Sequence, residues 1–161
     1  MLLSSIEFPL KTHFAISNNK VAANRYKKAN GQLLYNQGIN RFARAIFMHN
    51  MHEYISTYVS KLKPITSFPI IIDLIFYLPK NYQYIQMRKG EIRLPKKEDV
   101  EVSFDIDNIS NIWKKAIQDS LSKTKAIPDD NAWLIRKTSE EVIFISPKEE
   151  MKIKINISTY D

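Results

Sequence analysis

Residues 104–121 read FDIDNISNIWKKAIQDSL, and the architecture is worked out from this stretch. Ile109, Ile112, Trp113, Ala116, Ile117 and Leu121 recur at threes and fours, which draws one apolar stripe along a helix. Lys114, Lys115 and Gln118 fall on other faces. Asp107 stands where an N-cap belongs, because a carboxylate there accepts a backbone N–H of the first turn.

Upstream, Ser67–Leu78 (SFPIIIDLIFYL) is β-branched and aromatic, is bounded by Pro69 and Pro79, and predicts a buried strand. A second helical pattern runs from about Gln32 to Leu62 and is stopped by Pro64. Before it, Ser17–Gly31 has no period and reads as a basic loop, and Ser4–Leu10 reads as a short first strand. Downstream, Pro128-Asp129-Asp130 reads as a turn. Ala132–Arg136, Val142–Ser146 and the alternating Lys152–Ile157 read as strands, with Ser139-Glu140-Glu141 turning between the first two. The sum is one α+β domain over 1–161, a small mixed sheet packed against two main helices. A basic insert at about 79–102 is expected to be its most mobile part, with Lys89-Gly90 as a hairpin turn.

Three scattered glycines exclude a dinucleotide fingerprint and a phosphate loop, so no nucleotide cofactor is expected. The absence of Cys excludes disulfides and thiolate sites and is compatible with the cytoplasm. No secretory signal is read at the start, and no apolar run approaches the ~20 residues of a membrane span. The net charge of +7 is uneven. Residues 1–63 hold nine Lys/Arg and two Asp/Glu, whereas residues 105–161 hold nine and ten. A basic part for a polyanion and an acidic part for a cation is one reading, and solvated helix surfaces are the other.

The acids with chemical interest are Asp105 and Asp107 at the helix entrance and Asp129 and Asp130 after its end. Converging carboxylates would hold a hard divalent cation, which polarises a phosphoryl oxygen and acidifies bound water. As isolated pairs they would cap a helix and make an Asx turn. A helix of about 17 residues spans ~25 Å, so the pairs converge only if the chain after it runs back alongside. His49 and His52 stand three apart and read as surface residues. Tyr77, Tyr82 and Tyr84 fit packing better than base stacking.

In its order of Asp105-Ile106-Asp107-Asn108, a striped helix with Lys115 and Asp119, and then Asp129-Asp130 before a strand, the chain resembles the RusA family of Holliday junction resolvases. The outline covers most of the chain, and 105–135 carries the specific match. The resemblance implies a RusA-like fold and a homodimer that nicks four-way DNA junctions symmetrically in the bacterial or phage-infected cytoplasm, using Mg²⁺ with Mn²⁺ as a substitute. Asp105, Asp107 and Asp130 would be the catalytic metal ligands, with Asp129 supporting them and Lys115 acting on the scissile phosphate. Lys20, Arg25, Lys27, Lys28, Arg41 and Arg44 would bind DNA phosphates. The alternative is a catalytically degenerate DNA-binding or assembly module of the same fold. Two departures stand out. The helix is about one turn longer than the family pattern, so Asn111 holds the lysine place counted from the front and Lys115 counted from the back. The 79–102 connection is also longer than the family's link.

Overall fold

The computed structural model describes residues 1–10, 23–27, 33–39, 41–80, 86–88, 91–93 and 107–161; residues 23–27, 33–39, 41–47, 86–88, 91–93 and 107–112 are described by backbone alone. In chain order the elements are β1 (Leu2–Pro9), β2 (Ala23–Lys27), β3 (Leu33–Ile39), α1 (Arg41–Val59) and β4 (Ile70–Pro79). Then follow β5 (Gln86–Arg88), β6 (Glu91–Arg93), α2 (Asp107–Lys123), β7 (Ile135–Ile145) and β8 (Lys152–Thr159). This is an α+β domain with a four-stranded mixed sheet ordered β1-β8-β4-β7. β8 is antiparallel to both β1 and β4, and β7 is parallel to β4. Parallel neighbours need a crossover, and α2 lies in it.

The period of two in β4 sets the layers. Ile70, Ile72, Leu74, Phe76 and Leu78 are buried, while Ile71, Asp73, Ile75 and Tyr77 are half-buried on the other face. Ile72, Leu74 and Phe76 stand opposite Ile157, Ile155 and Ile153 of β8. The same core takes Met51, Ile55 and Val59 of α1 and Trp113, Ala116, Ile117 and Leu121 of α2, so both helices cover one face. Phe8 stacks on Tyr58 at 4.9 Å and meets Tyr54 edge-on at 5.9 Å, which docks β1 against α1. The Tyr54 hydroxyl donates to the Pro9 carbonyl across the same contact.

Three expectations are corrected. The stretch read as a basic loop contains β2, and the first turns read as helix are β3. They pair antiparallel with Tyr26 opposite Leu34, and the helix begins at Arg41. Leu34 and Ile39 fit a helical period by coincidence, and pairing with β2 decides the outcome. Third, Ser139-Glu140-Glu141 form no turn: β7 runs unbroken through them. Their polarity is accommodated in place: the Ser139 hydroxyl donates to Asp73, Glu140 forms an ion pair with Lys114 Nζ at 3.2 Å, and Glu141 is exposed. The turn comes earlier, where the Leu134 and Ile135 amides both donate to the Asn131 carbonyl. In the insert, β5 and β6 pair with Arg88 opposite Glu91. Lys89 and Gly90 between them lie outside the described residues, as does most of the stretch expected to be mobile.

Candidate functional site at the return from helix α2

The end of α2 decides where Asp129 and Asp130 go. Lys125 sits in the left-handed region (φ 62°), which turns the chain sharply after the helix. The Ile127 amide then donates back to the Leu121 carbonyl, and Ile65 N–H holds the Ala126 carbonyl at 2.8 Å. Ala126 and Ile127 are buried, which fixes the returning segment against the core. The chain comes back beside α2, and Asp130 lies within electrostatic reach of Lys115 and Asp119.

The two adjacent aspartates have opposite environments. Asp129 is exposed, its Oδ1 accepts the Asp130 amide at 2.7 Å, and its Oδ2 accepts Asn131 Nδ2 at 3.0 Å. These bonds favour the anion and pull its carboxyl below the usual range. Asp130 is half-buried. Desolvation first, and then the neighbouring Asp129 carboxyl, push its pKa up; Lys115 opposes them, while Asp119 adds to the rise.

On α2, Lys115 Nζ donates to Asp119 Oδ1 at 2.9 Å, an i,i+4 pair. That bond raises the lysine pKa, so the ammonium stays charged through the neutral range. The other Asp119 oxygen, Oδ2, is 3.5 Å from Nε2 of His52 on α1, and Lys123 Nζ is 3.3 Å from His52 Nδ1. An ammonium only donates, so Nδ1 accepts and Nε2 carries the ring proton toward Asp119. Burial first, and then Lys123, lower the His52 pKa and keep the ring neutral. The result is a chain of polar side chains, Lys123–His52–Asp119–Lys115, ending beside Asp130.

Of the expected site residues, Lys115 and Asp130 lie within electrostatic reach of each other, Lys115 is paired with Asp119, and Asp129 adjoins Asp130 in sequence. Asp107 is the first residue of α2, eight positions before Lys115, or ~12 Å along the axis. Its side chain and that of Asn111 lie outside the described residues, as does all of Asp105. Arg25 and Lys27 are on β2, and Arg41 and Arg44 begin α1, each described by backbone alone. Lys20 and Lys28 lie outside the described residues. Among the described residues no three His, Cys, Asp or Glu side chains are grouped to hold a metal ion.

The surface reading of the histidine pair holds for His49, whose Nε2 is 3.2 Å from Glu53 with both side chains 71% exposed. It fails for His52, which is 16% exposed against Asp119. The signal for His52 was its place three residues before Ile55 on a helix whose partner helix carries Asp119 and Lys123. Tyr77 is half-buried on β4 with Lys152 Nζ 4.8 Å from its ring centre, and Tyr82 and Tyr84 lie outside the described residues.

No family model matches the chain, and no curated protein matches it. Among the described residues no helix is long and apolar enough to cross a membrane.

Proposed function

We propose that this chain is a Mg²⁺-dependent, structure-selective endonuclease that resolves four-way DNA junctions as a homodimer, in the cytoplasm of a bacterial or phage-infected cell. The observation that carries the reading is Lys115, held by Asp119 and within electrostatic reach of Asp130 on the returning chain. A fixed ammonium next to a carboxyl crowded by other carboxyls suits a site that handles a phosphodiester and a cation together.

The donor chemistry fits a hard cation. Asp130 is a carboxyl whose anion is disfavoured by desolvation and by acidic neighbours, and a divalent ion would relieve both. Asp130 would hold it with Asp105 and Asp107, and Asp129 would support the loop. When bound, such an ion polarises a phosphoryl oxygen and lowers the pKa of its water. Lys115 would meet the charge on the phosphate, and Asp119 with His52 would keep its ammonium in place. Lys20, Arg25, Lys27, Lys28, Arg41 and Arg44 would bind DNA phosphates, giving steep salt dependence without sequence preference.

A second reading, a DNA-binding or assembly module without cleavage, is favoured by one observation: Lys115 is already neutralised by Asp119. One experiment separates the two. A synthetic four-way junction and a matched duplex are incubated in Mg²⁺, Mn²⁺ or EDTA with wild type and Asp130→Asn. Metal-dependent paired nicks, lost in the variant, support the nuclease. Junction binding without nicks selects the module, and neither binding nor nicks rejects both.

A further inference from the structure

The connection from α1 to β4 and the start of β1 line a cleft of about 390 Å³, a volume within the ~300–1,000 Å³ range of small-molecule sites. Lys61, Lys63, Thr66 and Ser67 come from the connection, and Ser4 comes from β1. Leu3, Leu62 and Ile65 supply the apolar part of the wall. Among the described residues no Asp or Glu lines the cleft. On the inward face of β1, Phe8 and Ile6 stand opposite Ile153 and Ile155. The next inward place, opposite Ile157, is held by Ser4 and not by an apolar residue. The register shift between Leu2 and Ser4 falls at that point, and a bulge re-aims the side chains beside it. The connection is fixed from behind, because the Ile65 amide donates to the Ala126 carbonyl at 2.8 Å and the Ile65 side chain is buried.

Among the described residues neither Lys61 nor Lys63 meets a carboxylate. The hydroxyls of Ser4, Thr66 and Ser67 and the amides of Lys63, Thr66 and Ser67 have no acceptor among those residues either. Lys61 Nζ is 5.8 Å from the Tyr58 ring centre, a loose contact that keeps the ammonium at the end of α1. The helix end itself carries about half a negative charge, which the two full positive charges outweigh. We propose that this cleft binds a phosphate group, with the organic part of a phosphate ester lying on Leu3, Leu62 and Ile65. Two ammoniums and three hydroxyls match the several oxygens of a phosphate, which accept charge-assisted hydrogen bonds. That chemistry has two sources, a free phosphomonoester or a phosphodiester of a DNA strand. The residues are not those matched with DNA phosphates through the family resemblance, and the binding does not depend on cleavage.

Isothermal titration calorimetry tests it on the full chain, with sodium phosphate against sodium chloride at equal ionic strength. Phosphate and thymidine 5′-monophosphate should bind saturably and chloride should not. Lys61→Gln and Lys63→Gln should each weaken the monophosphate by about tenfold, the loss of one charge-assisted contact. Ser4→Val, which leaves both ammoniums in place, should weaken it several-fold. Lys148→Gln, at an exposed lysine outside the cleft, should bind as wild type does. Melting temperatures in chloride equal to that of wild type would separate loss of the site from loss of the fold. Displacement of the monophosphate by an octathymidylate without terminal phosphates assigns a DNA strand as the source, and failure to displace it assigns a free phosphomonoester. No saturable phosphate binding, lysine variants or Ser4→Val that bind the monophosphate as tightly as wild type, or an equal loss in Lys148→Gln would each overturn the proposal.

Discussion

His52 on α1 and Asp119 on α2 meet across the helix interface with Nε2 3.5 Å from Oδ2, and Asp119 uses its other oxygen to hold Lys115. The packing of the two helices therefore sets His52 against Asp119, the residue that holds the Lys115 ammonium. The core between the helices and the polar site on their rim are one mechanical unit.

Replacing His52 by Gln should lower junction cleavage while leaving junction affinity near wild type, because Gln fills the space but loses the two-sided ring contact. The pH profile gives a separate readout. The His52 pKa is lowered in the folded chain, chiefly by burial. Its contribution to stability is then fully present above the ordinary histidine value and is lost as pH falls from there through the lowered folded value. Urea unfolding from pH 8 to pH 5 should show a drop in wild type that is reduced in His52→Gln.

Asp130 behaves with the opposite sign. Its folded pKa is raised, so the neutral form is favoured and its contribution to stability is lost as pH rises through the carboxylate range. Asp130→Asn should match wild type at pH 3 and be more stable at pH 7 while losing cleavage. Asp129, with its lowered pKa, should give the reverse: Asp129→Asn is less stable than wild type at pH 7 and converges with it in acid. Chemical denaturation at the two pH values measures both.

Lys125→Gly should stabilise the chain by up to about 1 kcal/mol. Lys125 is held at φ 62°, which a side chain with a Cβ resists and glycine does not, although glycine has more freedom to lose on folding. Cleavage should be unchanged, since the turn geometry is kept. A lower melting temperature would show that the lysine side chain contributes more than its backbone strain removes.

Stability and activity should separate along α2. Trp113 is fully buried, and Trp113→Ala should cost about 3–5 kcal/mol in urea unfolding. Lys115, two residues on and with its side chain 57% exposed, forms a pair worth at most about 1 kcal/mol, so Lys115→Met should unfold almost as wild type does. The cleavage assay should rank them the other way, with Lys115→Met inactive and the surviving fraction of Trp113→Ala still active.

Strands and helices that bury one clean face were legible in the sequence. Ile153, Ile155 and Ile157 alternate with Lys152, Lys154 and Asn156, and the stripe from Trp113 to Leu121 is buried as read. Elements whose partners are remote were not. β7 has a polar middle that looks like a turn until Asp73 and Lys114 are placed beside it. β2 and β3 are held by each other, and neither carries a period strong enough to outweigh the helical spacing across Leu34 and Ile39. At the site, Lys115 and Asp119 were visible because i,i+4 spacing is local. His52 was not, because its partners lie on another helix. The return of Asp130 depends on a left-handed lysine, a conformation that the sequence does not advertise.

The last strand of the chain occupies the second position of the sheet, between β1 and β4. Ser5 and Asn156, hydrogen bonded at 2.7 Å, are separated by 151 positions. On the ribosome, β1 emerges before β8 and, among the described residues, has no strand to pair with until β8 leaves the exit tunnel, although α1 can already cover Phe8. The nascent chain meanwhile holds β4 without its antiparallel partner and an apolar helix face half covered. Assembly is therefore governed by the closure of one very long loop, which slows folding. A chain released before residue 152 lacks the strand that joins β1 to the sheet and should be drawn to chaperones or proteases instead of reaching the native state.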